Sequence, residues 1–104
     1  MYFKIGEQYE KQEFNLQSIN TILLGNLEYE VYRYIITPDE TNIKDIRLYY
    51  NADILSAVHY QLGNTLNSDI LSKIKGQITK GVIVYKNNHD LWIVNSVFNI
   101  EKLR

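Results

Sequence analysis

Residues Gly81 to Phe98 read GVIVYKNNHDLWIVNSVF. Val82, Ile83, Val84 and Tyr85 are β-branched or aromatic, residue types that suit a pleated, half-buried surface. Leu91, Trp92, Ile93 and Val94 answer them after Asn87, Asn88, His89 and Asp90. Asn and Asp tolerate positive φ and bond to nearby backbone, so this stretch predicts a β-hairpin with a tight reversal. A two-residue turn at Asn87-Asn88 sets Val84 against Leu91 and Ile83 against Trp92, whereas a four-residue turn sets Tyr85 against Trp92. Both runs are apolar on both faces. The hairpin is therefore expected at the centre of the fold, covered on each side, with Trp92 and Ile93 in the core.

Working outward, Leu27 to Thr37 (LEYEVYRYIIT) gives the clearest strand pattern. Leu27, Tyr29 and Val31 alternate with Glu28 and Glu30, and the second face continues into Tyr32, Tyr34 and Ile36. Pro38 ends the run and opens a loop. Ile46, Leu48 and Tyr50 alternate with Arg47 and Tyr49, which predicts a partner strand over Lys44–Tyr50. Tyr2–Ile5 reads as a short first strand and Gly6–Glu13 as a loop. Two further stretches carry helical spacing. In Phe14–Leu24, Leu16, Ile19, Ile22 and Leu23 are followed by Gly25-Asn26, a good helix stop, although the β-branched content favours a strand. After Asn51 or Asp53 as a cap, Leu55, Val58, His59 and Leu62 fall at i, i+3, i+4 and i+7, and Gly63-Asn64 terminates. A short helix capped by Asn67 or Ser68 ends in Lys73 and Lys75 before Gly76, the polarity that a helix dipole favours. Asn99–Arg104 reads as a fraying strand end. The expected order is β-α-β-β-α-α-β-β. That is an α+β domain, a mostly antiparallel sheet with two or three short helices packed on it.

The chain has 104 residues, the length of one domain spanning 1–104. It is 45% hydrophobic and 22% charged, the balance of an ordinary globular protein. With no cysteine it has no disulfide and no thiolate chemistry. No apolar run reaches the length of a membrane span, and no basic, apolar leader is visible, so a cytoplasmic location is expected. Residues 1–45 hold eight acids against four bases, and residues 46–104 hold four against seven, which predicts a bipolar surface. The abundance of Ile, Asn, Lys and Tyr implies AT-rich codons and hence a low-GC genome, as in many bacteria and phages.

Candidate chemistry is thin. The two histidines are His59 and His89. His59 is expected as a satisfied residue on an inner helix face and His89 as a solvated turn residue beside Asp90. A metal site needs three or four converging ligands, and no spacing here supplies them, so neither a metal nor a cofactor is expected. Gly76-Gln-Ile-Thr-Lys-Gly81 lacks the Lys-Ser/Thr that must follow the second glycine of a phosphate loop. Asp39, Asp45 and Arg47 lack the lysine and the spacing of a metal-dependent nuclease. No serine or threonine sits in a nucleophile elbow, and no catalytic residue is assigned.

Two surfaces remain. Lys73, Lys75, Lys80 and Lys86 form one basic cluster with Tyr85 and Trp92 nearby. Basic groups and aromatics serve single-stranded nucleic acids, and two helices before a hairpin follow the order of a winged-helix domain. The pI of about 6.1 argues against such a footprint, and lysines also cover strand edges for solubility. The second surface is aromatic. Of nine tyrosines, Tyr29, Tyr32, Tyr34, Tyr49 and Tyr50 fall in the 27–50 hairpin. Tyr32, Tyr34, Tyr49 and Tyr50 are expected to anchor a partner, because tyrosine buries much area at little entropic cost. The expectation is a non-enzymatic protein-interaction module: a phage or mobile-element product that binds and modulates or inhibits a host protein, or a homodimer through a sheet edge. A nucleic-acid-binding domain using Lys73–Lys86 is the alternative.

Overall fold

A computed structural model describes residues 3–35, 43–63, 72 and 78–103. The described elements are six strands and three single 3-10 turns, so the α+β expectation is corrected to a mostly-β fold. The strands are β1 (Leu16–Leu24), β2 (Leu27–Tyr34), β3 (Ile43–Asn51), β4 (Ile54–Leu62), β5 (Val82–Lys86) and β6 (Asp90–Asn95). They form one antiparallel sheet in the order β1-β2-β3-β4-β6-β5. The 3-10 turns cover Tyr9–Lys11, Glu13–Asn15 and Ile100–Leu103.

Both segments read as helical in the first two-thirds of the chain are strands. Phe14–Leu24 contributes β1, and the Gly25-Asn26 stop is a hairpin turn pairing Leu24 with Leu27, with Gly25 at φ 62. Glycine bears that left-handed backbone without steric cost. The stretch beginning at Asn51 contributes the end of β3 and all of β4. Asn51 pairs with Ile54 across Ala52 and Asp53, both at positive φ (49 and 66). Two central residues in that region make the mirror-image turn whose twist suits a hairpin, so Asp53 serves as a turn residue where a helix cap was expected. The third expected helix, around 67–75, lies outside the described residues apart from Ser72.

Strands β2 and β3 pair as the sequence indicates, with Val31 opposite Tyr49 and Tyr32 opposite Leu48. The β5–β6 hairpin adopts the four-residue register, Tyr85 against Trp92 and Lys86 against Leu91. Asn87 fixes the turn: its Oδ1 accepts from the backbone N–H groups of His89 (2.9 Å) and Asp90 (2.8 Å). The hairpin is not central as a whole. β6 is interior and Ile93 is fully buried, but β5 is an edge strand, and Trp92 is half-buried.

The sheet carries apolar side chains on both faces. On the first face, Ile46, Leu48, Tyr50, Leu55, Val58, Tyr60, Leu62, Leu91 and Ile93 form one buried cluster. The segment expected as a first strand roofs this face instead. Gly6 N–H donates to the Leu55 carbonyl and Leu55 N–H to that of Glu7, both at 2.8 Å. Phe3 then packs edge-on to Tyr34 (centroids 4.9 Å), and Tyr9 lies on Tyr32 (5.1 Å) and Tyr50 (5.5 Å). The Tyr50 hydroxyl is buried there without a hydrogen-bond partner among the described residues. On the second face, Tyr29, Val31, Tyr49, Ala57 and Val94 form a second cluster. The tail beyond β6 covers it. Phe98 meets Tyr29 at 5.0 Å and Tyr49 at 5.4 Å, and Ile100 is buried in the last 3-10 turn, where a fraying strand end was expected. No helix among the described residues is long and apolar enough to cross a membrane.

Candidate functional site

The tyrosines expected as one partner surface are divided by the sheet. Tyr50 is buried on the first face and Tyr49 on the second, each in a different core cluster. Neither can anchor a partner without leaving its core. Tyr32 and Tyr34 share the first face with Tyr50, half-buried under Tyr9 and Phe3. The Tyr32 hydroxyl donates to Glu30 Oε2 at 2.7 Å. Burial and the Glu30 carboxylate raise its pKa, and burial does the same at Tyr50, so both remain neutral phenols. The period of two holds for this face, as read from the sequence, but the N-terminal segment covers the far end of it. Of the basic cluster, Lys80 and Lys86 are exposed at the two ends of β5, while Lys73 and Lys75 lie outside the described residues.

The polar constellation that the fold does assemble lies on the second face, beside the apolar cluster. Cross-strand pairing places Gln17 opposite Arg33, Arg33 opposite Arg47, Arg47 opposite His59, His59 opposite Trp92 and Trp92 opposite Tyr85. Every strand thus contributes one side chain to a single row, with neighbours about 4.8 Å apart along it. Asp45, Gln61 and Asp90 form a parallel polar row with an acid at each end, since Asp45 pairs with Gln61 and Gln61 with Asp90.

The two rows hold each other. Arg33 Nε donates to Asp45 Oδ1 and Arg47 Nε to Asp45 Oδ2, both at 3.1 Å. His59 Nε2 lies 2.8 Å from Asp90 Oδ1, and its ring stacks on the Trp92 indole at 4.0 Å with a 4° interplanar angle. Asp90 therefore turns to His59 on the neighbouring strand and not to His89, its neighbour in sequence. Burial lowers the His59 pKa below its ordinary value, and it outweighs the opposing pull of the Asp90 hydrogen bond and charge. A depression of about 520 Å³ opens here, lined by Arg47, Tyr49, His59, Asp90, Ile100 and Leu103 among others. No group of three or more metal-ligating side chains occurs among the described residues.

A pH dependence follows from His59. Its folded pKa lies below the unfolded value, so in the window between them the unfolded chain binds more protons, and stability rises with pH. Stability should fall as pH drops through about 6.5 and stop falling below the folded pKa. Urea midpoints measured from pH 8 to pH 5 should show this slope, and His59→Gln should flatten it. A slope unchanged by that substitution would assign it to other groups.

The second feature is the free edge. Among the described residues β1 pairs only with β2, which leaves its outer main-chain groups unpaired within the sheet. Its sequence, LQSINTILL, holds no charge and no proline across nine residues. Around it stand exposed apolar side chains: Phe14 (92% exposed), Leu23 (68%) and Ile35 (59%), the last tied to the strand by Ile35 N–H donating to the Asn15 carbonyl at 2.7 Å. The helical spacing of Phe14–Leu24 competes with its β-branched content, so the edge has no fixed place in a sequence reading. The ladder was invisible for a different reason, because it depends on the registers of five strand pairs together. No protein-family model matches the chain, and neither a curated protein nor a solved structure matches it.

Proposed function

We propose that the protein is a non-enzymatic interaction module whose contact is the open edge of β1, and that the occupant of that edge is a second copy of the chain. The observation that carries this reading is the uncharged, nine-residue edge strand with Phe14, Leu23 and Ile35 exposed around it. Sheet edges in monomeric proteins are blunted by lysines, proline or short length, because unpaired N–H and C=O groups template pairing with another strand. β1 has one such device, a bulge between Ser18 and Asn20, and lacks the others. Two antiparallel copies of one strand pair naturally across a two-fold axis, giving an isologous contact and a continuous twelve-stranded sheet. Because the strand is neutral, self-pairing sets no like charges opposite each other. The other edge strand, β5, has only five residues, ends in the exposed Lys86 and follows the exposed Lys80. A cytoplasmic location fits a cysteine-free chain of this kind.

Light scattering behind size exclusion tests the proposal. The wild type should shift from monomer to dimer as its concentration rises. Thr21→Lys with Leu23→Lys should hold it monomeric with an unchanged circular dichroism spectrum. These positions pair with Glu30 and Glu28 inside the chain, so the added charges are welcome there and unwelcome at a self-paired edge. A wild type that remains monomeric at the highest attainable concentration overturns the proposal, and so does a double variant that still dimerises.

A further inference from the structure

The ladder on the second face carries more charge than its own partners neutralise. Arg33 and Arg47 stand directly opposite each other on β2 and β3, and both reach the single carboxylate of Asp45. Like charges directly opposite in a sheet are destabilising, and one carboxylate offsets one of the two guanidiniums. Both contacts use Nε. The forked end of a guanidinium, which grips planar or tetrahedral oxyanions with two parallel hydrogen bonds, is a separate part of the group.

Arg47 borders the 520 Å³ depression, a size in the range that small ligands occupy. Its other walls are chemically mixed. Tyr49, Ile100 and Leu103 are apolar or aromatic, and His59 and Asn87 add polar groups. The Asn87 Oδ1 is committed to the turn, so its amide N–H₂ is the end available to a ligand. Asp90, the acid on this wall, is engaged by His59. One ligand class is disfavoured. His59 covers one face of the Trp92 indole, and Phe98 packs on the same ring at 5.9 Å with a 30° interplanar angle. A nucleobase would have to compete with these two rings for the indole.

We infer that this depression binds a small organic anion, with a phosphate or carboxylate head on the Arg47 guanidinium and an apolar body over Ile100 and Leu103. Arg33 acts as a positioning residue: it shares Asp45 and so leaves the charge of Arg47 for the ligand. The inference is independent of self-pairing at β1, and either can fail without the other.

The only tryptophan of the chain lines this depression, so its fluorescence is a local reporter. Inorganic phosphate, phenyl phosphate and benzoate are the probes, titrated into the full chain at low salt. Phenyl phosphate should give a saturable change and bind more tightly than inorganic phosphate, because it adds the apolar body. Benzoate reports whether a carboxylate head serves as well as a phosphate. Arg47→Gln should weaken phenyl phosphate by at least about tenfold, the loss of a charge-assisted hydrogen bond. Asp45→Asn should strengthen it, because it removes the carboxylate that competes for the arginines. Lys86→Gln should leave it unchanged. A purely structural role for Arg47 predicts no gain from Asp45→Asn. The inference is overturned if the wild type shows no saturable change with phenyl phosphate or benzoate, if Arg47→Gln titrates like the wild type, or if Asp45→Asn fails to tighten binding.

Discussion

Phe98→Ala should destabilise the fold by about 3–5 kcal/mol, the usual cost of removing a large aromatic side chain from a core. The residue closes the stretch that the sequence reads as a hairpin but lies beyond the last strand, and it is only 4% exposed. Its ring contacts Tyr29 from β2, Tyr49 from β3 and Trp92 from β6, with centroids 5.0, 5.4 and 5.9 Å away. It therefore closes the second face over three strands. Asn95 sets the approach, since its Oδ1 accepts from the backbone N–H groups of Val97 (3.0 Å) and Phe98 (2.8 Å). The urea midpoint measures the loss, and a shift worth less than about 1 kcal/mol would show that the tail does not cover the sheet. Tryptophan emission should also move to the red in the folded variant, because one contact that shields Trp92 is gone.

Ile93→Ala acts on the opposite face and should cost about 2–5 kcal/mol. Ile93 is fully buried in β6, with Val58 of β4 on one side and Val84 of β5 on the other. It belongs to the cluster that holds Leu48, Leu55, Tyr60 and Leu91. Interior packing is dense, so the lost atoms leave a cavity that the flanking strands cannot close without breaking their ladders. Equilibrium denaturation should show the full cost with little change in the m-value. A destabilisation below about 1 kcal/mol would mean that the site collapses around alanine, and hence that β5 is loosely held.

The parts of the fold legible in the sequence are the strands whose pattern is regular. β2 alternates from Leu27 to Tyr34, β3 from Ile46 to Tyr50, and β5 and β6 flank a turn rich in Asn and Asp. The two strands misread as helices share one physical cause, a β-bulge. In β1 the irregularity between Ser18 and Asn20 puts Ile19 and Ile22, three apart, on the second face, while Leu16 packs on the first. In β4, Tyr49 pairs with Ala57 but Tyr50 pairs with Leu55, and the extra residue Ser56 sets Leu55 on the same face as Val58, again three apart. An inserted residue turns a period of two into a local spacing of three, which the helical template accepts. β4 is also buried on both faces, with Ala57 as well as Tyr60 in the core, so it has no polar side to reveal its alternation. The candidate sites suffered accordingly. The free edge is β1, and the ladder needs His59 on a strand.

The strand order carries a consequence for how the chain closes on itself. β1 to β4 are a meander of nearest neighbours, and β5 and β6 are a hairpin; each is a local circuit with short loops. Among the five ladders of the sheet, β4–β6 alone joins residues roughly thirty to forty apart, so within the sheet it closes the longest loop. The stacking of His59 on Trp92 and its bond to Asp90 both bridge that seam, as does the wall of the depression that runs from Arg47 to Trp92. A molecule held there would touch both circuits at once and act as a removable clasp, its binding energy offsetting the longest loop closure within the sheet.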